Sequence, residues 1–238
     1  MKTKAIIFDK DGTLMDFDSF WVTVTHKVIT DLKKKTEVMD VNEGEILTAL
    51  GVEDGVTNIK GILCQGTYQQ IGEIMYNILK KHGCQFSVEQ LTDYMIESYH
   101  HNYEKGIIKP TCNNICEVLS KLKYHGIKLA VVTTDDLFSV KKCLKSLDIE
   151  KYIDLIYTDD GYFLPKPDPH CIFDILKKEG LSKSQVVMVG DTLTDTTFAK
   201  NGGIEAIGVA KNDANRRILT EQTDKVIPDL SYIFEVLE

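Results

Sequence analysis

Short apolar runs recur along the chain and predict the strands of a parallel sheet. Each run is rich in β-branched residues, and from residue 128 onward the runs alternate with helical patterns. This alternation is typical of an α/β protein in which helices cover a parallel sheet. The predicted strands are 4–8, 128–133, 155–158, 186–190, 204–209 and 225–227.

A large insertion separates the first predicted strand from the second. The first run ends at residue 8 and the next begins at 128, whereas an ordinary crossover needs about a dozen residues or slightly more. The intervening residues have helical spacing, and Ser87 with Gln90 fits a capping box. We therefore predict an all-helical domain over 15–107, inserted into a core formed by 1–14 and 108–238. Its predicted helices are 19–35, 41–50, 68–82 and 87–103.

Two helix starts are predicted within the core. Thr111 precedes a helical pattern that ends near Gly126. Asp168 is the expected N-cap of a second helix, with Pro169 in its first position, where proline is well tolerated. The first of these helices precedes the predicted strand 128–133, and the second follows the predicted strand 155–158.

Composition narrows the functional classes. The chain has 28 Lys plus Arg against 36 Asp plus Glu, a formal net charge of -8, which argues against general binding of nucleic acid. Its 6 cysteines include no Cys-x-x-Cys pair and indicate free thiols in a reducing compartment. The apolar stretches are too short for a signal peptide or a membrane span. We expect a cytoplasmic protein without a membrane partner, as a monomer or homodimer.

Acidic and polar residues gather where the predicted strands end. Asp9 and Asp11 directly follow the first strand, and core packing cannot explain them, because unpaired buried carboxylates are costly. They need a cation, a substrate, or both. Each cluster alone also fits a turn or a helix cap, but open parallel sheets bind ligands at this edge. The other clusters are Thr133-Thr134, Lys166 in its proline-rich loop, and Gly190-Asp191-Thr192-Leu193-Thr194-Asp195.

Taken together, these motifs resemble those of the haloacid dehalogenase-like hydrolase superfamily. Asp9-Lys10-Asp11-Gly12-Thr13 matches its first motif, Asp-x-Asp-x-Thr, in full. Thr133 matches the second motif, Lys166 the third, and the acidic stretch 190–195 the fourth. The insertion is similar to the cap of the phosphoglycolate phosphatase-like subgroup. The resemblance covers the whole chain and implies a Rossmann-like, three-layer α/β core with an inserted helical cap.

The resemblance implies a role for each motif residue. Asp9 would attack phosphorus and form an aspartyl phosphate, and Asp11 would be the general acid and base. Lys166 and Thr133 would hold the phosphoryl oxygens. Gly12 would allow a close backbone turn beside the phosphate, and Thr134 is a further candidate for substrate binding.

A divalent cation is expected because so many carboxylates converge on a phosphate. Oxygen ligands indicate Mg²⁺, held by the side chains of Asp9 and Asp191 and by the backbone carbonyl of Asp11. Asp195 would lie behind these ligands and orient a metal-bound water or Lys166.

The predicted activity is hydrolysis of a small phosphorylated metabolite, resembling phosphoglycolate or a sugar phosphate. Asp11 favours phosphoryl transfer over carbon–halogen hydrolysis, because the dehalogenases lack this second acid. Two alternatives stay open: a phosphomutase of the β-phosphoglucomutase type, and a binding or regulatory protein that keeps the fold without catalysis. The complete motif set argues against the last.

Four residues outside the motif pattern have two interpretations each. Lys10 would lean across the mouth of the site or, as we favour, form a salt bridge. Lys60 and Asn58, in a glycine-rich part of the insertion, would contact the leaving group or face solvent. Trp21 would line the substrate pocket or belong to the apolar face of a helix capped by Asp18 or Ser19.

Overall fold

The computed structural model describes residues 2–159 and 161–237. The chain forms two compact units. One runs through Asp16 and resumes at Ile108, and the other is Phe17–Ile107. The strands, in chain order, are β1 (Ala5–Phe8), β2 (Val52–Glu53), β3 (Val56–Thr57), β4 (Lys128–Val132), β5 (Leu155–Tyr157), β6 (Val186–Gly190), β7 (Glu205–Val209) and β8 (Val226–Ile227).

Helices account for most of the remaining structure. A π-helical turn, Asp18–Val22, leads directly into the first α-helix. The α-helices are α1 (Thr23–Thr36), α2 (Glu43–Ala49), α3 (Ile62–Gln65), α4 (Tyr68–Lys81), α5 (Val88–Asn102), α6 (Ile115–Tyr124), α7 (Leu137–Ser146), α8 (His170–Glu179), α9 (Leu193–Gly202), α10 (Asp213–Thr220) and α11 (Ile233–Val236).

The first unit is the predicted α/β core. Its 6-stranded sheet has the order β5-β4-β1-β6-β7-β8, and every neighbouring pair is parallel. All six predicted strands are present, and their ends differ from the prediction by at most one residue. The strand β1 lies between β4 and β6 and is buried along its whole length. The Rossmann-like α/β fold class is therefore confirmed.

One face of the sheet packs against α8 and α9. Ala5 and Ile7 of β1 join a core cluster with Ile172 and Ile175 of α8 and Phe198 of α9. These two β1 positions are two residues apart and point to the same face, while Ile6 and Phe8 point to the other. All four side chains are at most 1% exposed. The first strand is thus enclosed on both faces, which explains its continuous apolar run.

The second unit is mainly helical but not wholly so. A hairpin of β2 and β3 corrects the all-helical prediction for the insertion. Asp54 and Gly55 form its turn with φ of 50° and 77°, the left-handed pair that two-residue hairpins favour. The Asp18 carboxylate accepts hydrogen bonds from the backbone N–H and the hydroxyl of Thr57, at 3.0 and 2.6 Å. Asp18 therefore holds the hairpin and is not the predicted helix cap.

Three predicted helix starts can be compared with the structure: one agrees, and two lie further along the chain than predicted. The Ser87–Gln90 capping box at the start of α5 is confirmed. The helix α6 begins only at Ile115, and the Thr111 hydroxyl instead donates to the carbonyl of Thr13 at 2.5 Å. The helix α8 begins at His170, one residue later than predicted, and the Asp168 carboxylate accepts from its backbone N–H at 3.0 Å. In the described ranges, no helix is long and apolar enough to cross a membrane.

We expect the stability of the core to depend on the β1 residue Ile7, which is fully buried in the cluster. Replacing Ile7 with Ala should lower the free energy of unfolding by about 2–5 kcal/mol, because it leaves a cavity, and Ile7→Val by about 0.5–1.5 kcal/mol. Leu164, which is 58% exposed, is the control. Leu164→Ala should change the free energy of unfolding by less than about 0.5 kcal/mol. Denaturant unfolding followed by circular dichroism measures all three. Equal effects of Ile7→Ala and Leu164→Ala would contradict the assignment.

Candidate active site

The candidate site is built at the carboxyl ends of three neighbouring strands. Asp9 directly follows β1, Thr133 follows β4, and Asp191 follows β6. The strands are parallel and in register, with Phe8 opposite both Val131 and Val189. Strand order reverses at β1, and such switch points are where open parallel sheets bind ligands.

A tight loop after β1 positions the first motif. The backbone N–H groups of Leu14 and Met15 both donate to the Lys10 carbonyl, at 3.0 and 2.9 Å, and the Gly12 N–H donates to Met15 at 2.6 Å. Gly12 has φ of +82°, and a Cβ at this position would lie 2.0 Å from Oδ2 of Asp191. Only glycine fits, because any side chain would collide with an acidic residue of the fourth motif.

Lys166 connects two of the acids. Its ammonium lies 2.5 Å from Oδ1 of Asp9 and 2.6 Å from Oδ1 of Asp195, and its side chain is 4% exposed. The second Asp195 oxygen accepts from the hydroxyl and the backbone N–H of Thr192, at 2.7 and 3.1 Å. Burial lowers the pKa of Lys166, but the charges and hydrogen bonds of Asp195 and Asp9 outweigh this effect and raise the pKa above its ordinary value.

Three buried carboxylates converge in this site. Oxygens of Asp9, Asp191 and Asp195 lie within 4.8 Å of one another. Burial raises the pKa of Asp9 to about 7, with Lys166 opposing the rise and the charges of Asp195 and Asp11 adding to it. Burial and the charges of Asp9 and Asp195 also raise the pKa of Asp191 well above its ordinary value. The cluster is short of positive charge, and its all-oxygen donor set fits a hard divalent cation.

The other predicted site residues occupy different environments. Thr133 is buried, and its hydroxyl accepts from the backbone N–H of Asp135 at 3.3 Å. Thr134 is exposed. Lys60 belongs to the second unit and is exposed, as is Asn58, whose side-chain oxygen accepts from the Lys60 backbone N–H at 2.8 Å. The roles of these four residues in substrate binding stay predictions.

Trp21 belongs to an aromatic cluster of the second unit. Its ring centroid lies 5.2 Å from that of Phe20 and 5.9 Å from that of Tyr103. Phe20 and Tyr103 are themselves 5.0 Å apart, and all three contacts are edge-to-face. These contacts agree with the apolar-face interpretation of Trp21, and its contact with a substrate stays a prediction.

Sequence reasoning missed one acidic partner in the site. Lys10 forms the salt bridge that we favoured, 2.7 Å from Oδ1 of Asp11, but it also lies 2.9 Å from Oδ2 of Asp135. Asp135 was not among the predicted residues. The available signal was an acid one residue beyond Thr133-Thr134 at a strand end, where a turn or helix cap is the ordinary explanation.

Known proteins resemble the chain over at least 95% of its length. A putative pyrophosphatase PpaX from Caldanaerobacter subterraneus is 27% identical over 100% of this chain and 96% of that protein. A phosphoglycolate phosphatase from Pseudomonas fluorescens is 23% identical over 95% of this chain and 76% of that protein. The crystal structure of a predicted phosphoglycolate phosphatase from Haemophilus somnus has the same fold, with a TM-score of 0.74 at 21% identity, and covers 100% of this chain and 99% of that one.

The family assignment rests on both the motifs and a family model. The model described as haloacid dehalogenase-like hydrolase matches residues 6–209, which include Asp9, Thr133, Lys166 and Asp191. With this match, and with the motif residues gathered at one edge of a parallel sheet, the chain belongs to the haloacid dehalogenase-like hydrolases.

Proposed function

We propose that this hydrolase is a Mg²⁺-dependent phosphatase acting on a small phosphorylated metabolite through an aspartyl phosphate on Asp9. The observation that carries the proposal is the ion pair of Asp9 with buried Lys166, beside Asp191 at the end of the neighbouring strand. Relatives named as a phosphoglycolate phosphatase and a pyrophosphatase support it, because both names describe cleavage of phosphate esters or anhydrides.

The proposed reaction takes two displacements at phosphorus. In the first, a carboxylate oxygen of Asp9 attacks the phosphorus, the bond to the leaving oxygen breaks, and Asp11 gives that oxygen a proton. In the second, water attacks the phosphorus of the aspartyl phosphate and loses a proton to Asp11. The bond from phosphorus to Asp9 then breaks and phosphate is released. Lys166 supports the first step by favouring the ionised form of Asp9, the form that attacks.

Mg²⁺ would be held by the carboxylates of Asp9 and Asp191 and by the backbone carbonyl of Asp11. When bound, it would offset the repulsion between the acids and the phosphate dianion. Both oxygens of Asp195 are already engaged, one by Lys166 and one by Thr192. Asp195 therefore suits the positioning of Lys166, which was one of its two expected roles.

Phosphate recognition would be shared by the core residues at this edge. The Lys166 ammonium and the Thr133 hydroxyl are a charged and a neutral donor for phosphoryl oxygens. The turn at Gly12 and the neighbouring Thr134 would complete the phosphate side. Specificity for a phosphoglycolate-like or sugar phosphate would come from the second unit, where Lys60 and Trp21 are the candidates.

We expect purified protein with Mg²⁺ to release inorganic phosphate from 4-nitrophenyl phosphate and from members of a panel of metabolite phosphates. Asp9→Asn should lower this rate by at least about a thousandfold, because the amide cannot act as the nucleophile. The matched control is Asp148→Asn, since the Asp148 side chain is 79% exposed and pairs with Lys151 on the surface; its rate should equal that of the wild type.

Three results would contradict the proposal in different ways. If Asp9→Asn releases phosphate as fast as the wild type, Asp9 is not the nucleophile. A wild type that releases no phosphate from any panel member would exclude phosphatase activity. Conversion of a sugar monophosphate to its isomer, through a trapped sugar bisphosphate and with little free phosphate, would instead indicate the phosphomutase.

The metal proposal also predicts an effect on stability. Without divalent cations at pH 8, Asp191→Asn should raise the free energy of unfolding. The reason is that ionised Asp191 is buried beside other acids and its pKa is raised, so its charge opposes folding. Adding Mg²⁺ should then stabilise the wild type more than Asp191→Asn.

Asp154→Asn is the control with the opposite sign. The pKa of Asp154 is lowered: burial opposes the ionised form, but hydrogen bonds from Leu129 and Lys123 outweigh it. This variant should therefore be less stable than the wild type at pH 8. Thermal melts with and without Mg²⁺ measure both variants, and a destabilised Asp191→Asn protein in the absence of metal would contradict the prediction.

A further inference from the structure

We propose that Lys10 is a positioning residue for Asp11, and that it holds the Asp11 carboxyl in place for proton transfer to the leaving oxygen. This inference rests on the proposed phosphatase function, in which Asp11 is the proton donor. It assigns a role to the variable middle position of the Asp9-Lys10-Asp11 motif.

Lys10 is an unusually enclosed lysine. Its side chain is 0% exposed, although it lies next to two acids that reach solvent in part. Lysine is rarely fully buried unless it is paired, because its charge is strongly hydrated. Its ammonium lies 2.7 Å from Oδ1 of Asp11 and 2.9 Å from Oδ2 of Asp135. The first acid is the next residue along the chain, and the second lies in the loop after β4.

The Asp11 side chain is 19% exposed and follows the strand by only a few residues. A carboxyl on such a loop can rotate about its side-chain bonds. The ammonium of Lys10 binds Oδ1 from within the protein and restricts that rotation, so that Oδ2 becomes the oxygen that exchanges the proton. A fixed donor matters because proton transfer depends on hydrogen-bond geometry.

Asp135 is the second anchor of the lysine. Its backbone carbonyl accepts from Asp159 at 3.0 Å, which fixes the loop after β4. Its backbone N–H donates to the Thr133 hydroxyl at 3.3 Å. Through buried Lys10, the loop that carries Asp11 is therefore joined to the loop that carries Thr133. The positions of both proposed substrate-contacting residues thus depend on the ion pairs of one lysine.

Substrates with different leaving groups can distinguish positioning of Asp11 from a purely electrostatic role of Lys10. A nitrophenolate leaves readily without a proton, whereas an alkoxide depends on the general acid. The parameter kcat/KM reports the steps through departure of the leaving group, before hydrolysis of the aspartyl phosphate. A misplaced Asp11 therefore lowers kcat/KM for an alkyl phosphate and largely spares 4-nitrophenyl phosphate.

The experiment compares these two substrates in wild type, Asp11→Asn and Lys10→Met. The alkyl phosphate is the one that the wild type hydrolyses fastest. Lys10→Met should lower kcat/KM for the alkyl phosphate at least about tenfold more than for 4-nitrophenyl phosphate, in the direction shown by Asp11→Asn. Circular dichroism and thermal melts establish that each variant is folded.

Two further variants control for charge and for folding. Lys123→Met removes another lysine that pairs with an aspartate, Asp154, in the same unit. This variant should leave kcat/KM unchanged for both substrates. Asp135→Asn keeps both Lys10 and Asp11 but weakens the second anchor. It should produce the same selective loss at a smaller size, about two- to fivefold, and it serves as the test if Lys10→Met fails to fold.

The outcomes distinguish this inference from the proposed function. A wild type inactive on both substrates would overturn the phosphatase and this role together. Suppose instead that the wild type is active. If kcat/KM of Lys10→Met and Asp135→Asn then falls equally for the two substrates, or does not fall at all, only the positioning role is overturned. A selective loss in Lys123→Met as well would also overturn it, because the effect would not depend on contact with Asp11.

Discussion

The structure depends on how negative charge at the end of β1 is balanced. Asp9 and Asp11 leave a strand that is buried on both faces, and the adjacent strand adds Asp191. Ionised carboxylates in such a place oppose folding unless positive charge lies beside them. Lys166, from a distant part of the chain, supplies this charge to Asp9, and Lys10 supplies it to the neighbouring Asp11.

Incomplete balance is what makes the site suited to chemistry. One ammonium serves both Asp9 and Asp195, and Asp191 has raised pKa with no lysine in contact among the pairs described. A cluster optimised for stability would be neutral or fully paired. The remaining deficit is the reason to expect a cation, and it explains why removal of a site acid should stabilise the metal-free fold.

Backbone geometry adds a second constraint at the same point. Gly12 carries the loop past Asp191 so closely that a methyl group would overlap the carboxylate. The Thr13 hydroxyl, one residue on, donates to that carboxylate at 3.3 Å. The short motif therefore sets the position of an acid that lies far along the chain, and its small residues are as necessary to the arrangement as its charged ones.

Local pattern determined a large part of the molecule. Apolar runs identified every strand of the core sheet, because a strand that is buried on both faces is apolar at successive positions. Helical spacing identified helices, because a helix that is buried on one face repeats its apolar residues every three or four positions. The motif residues could be named for the same reason: Asp9, Thr133 and Asp191 are polar residues that directly follow apolar runs. The hairpin at Asp54-Gly55 was missed because its strands are too short to show alternation.

Tertiary structure alone decided which of these residues meet. The order β5-β4-β1-β6-β7-β8 places the ends of β4 and β6 on either side of β1, and this order is not encoded in the period of any one segment. It brings Asp135 to Lys10, a pair that the sequence did not indicate, and Asp195 to Lys166, one of the two partners expected for this acid. Charge pairing inside a protein depends on distance and burial, so the sequence could supply the charged residues and alternatives for their partners, and only the fold could decide between them.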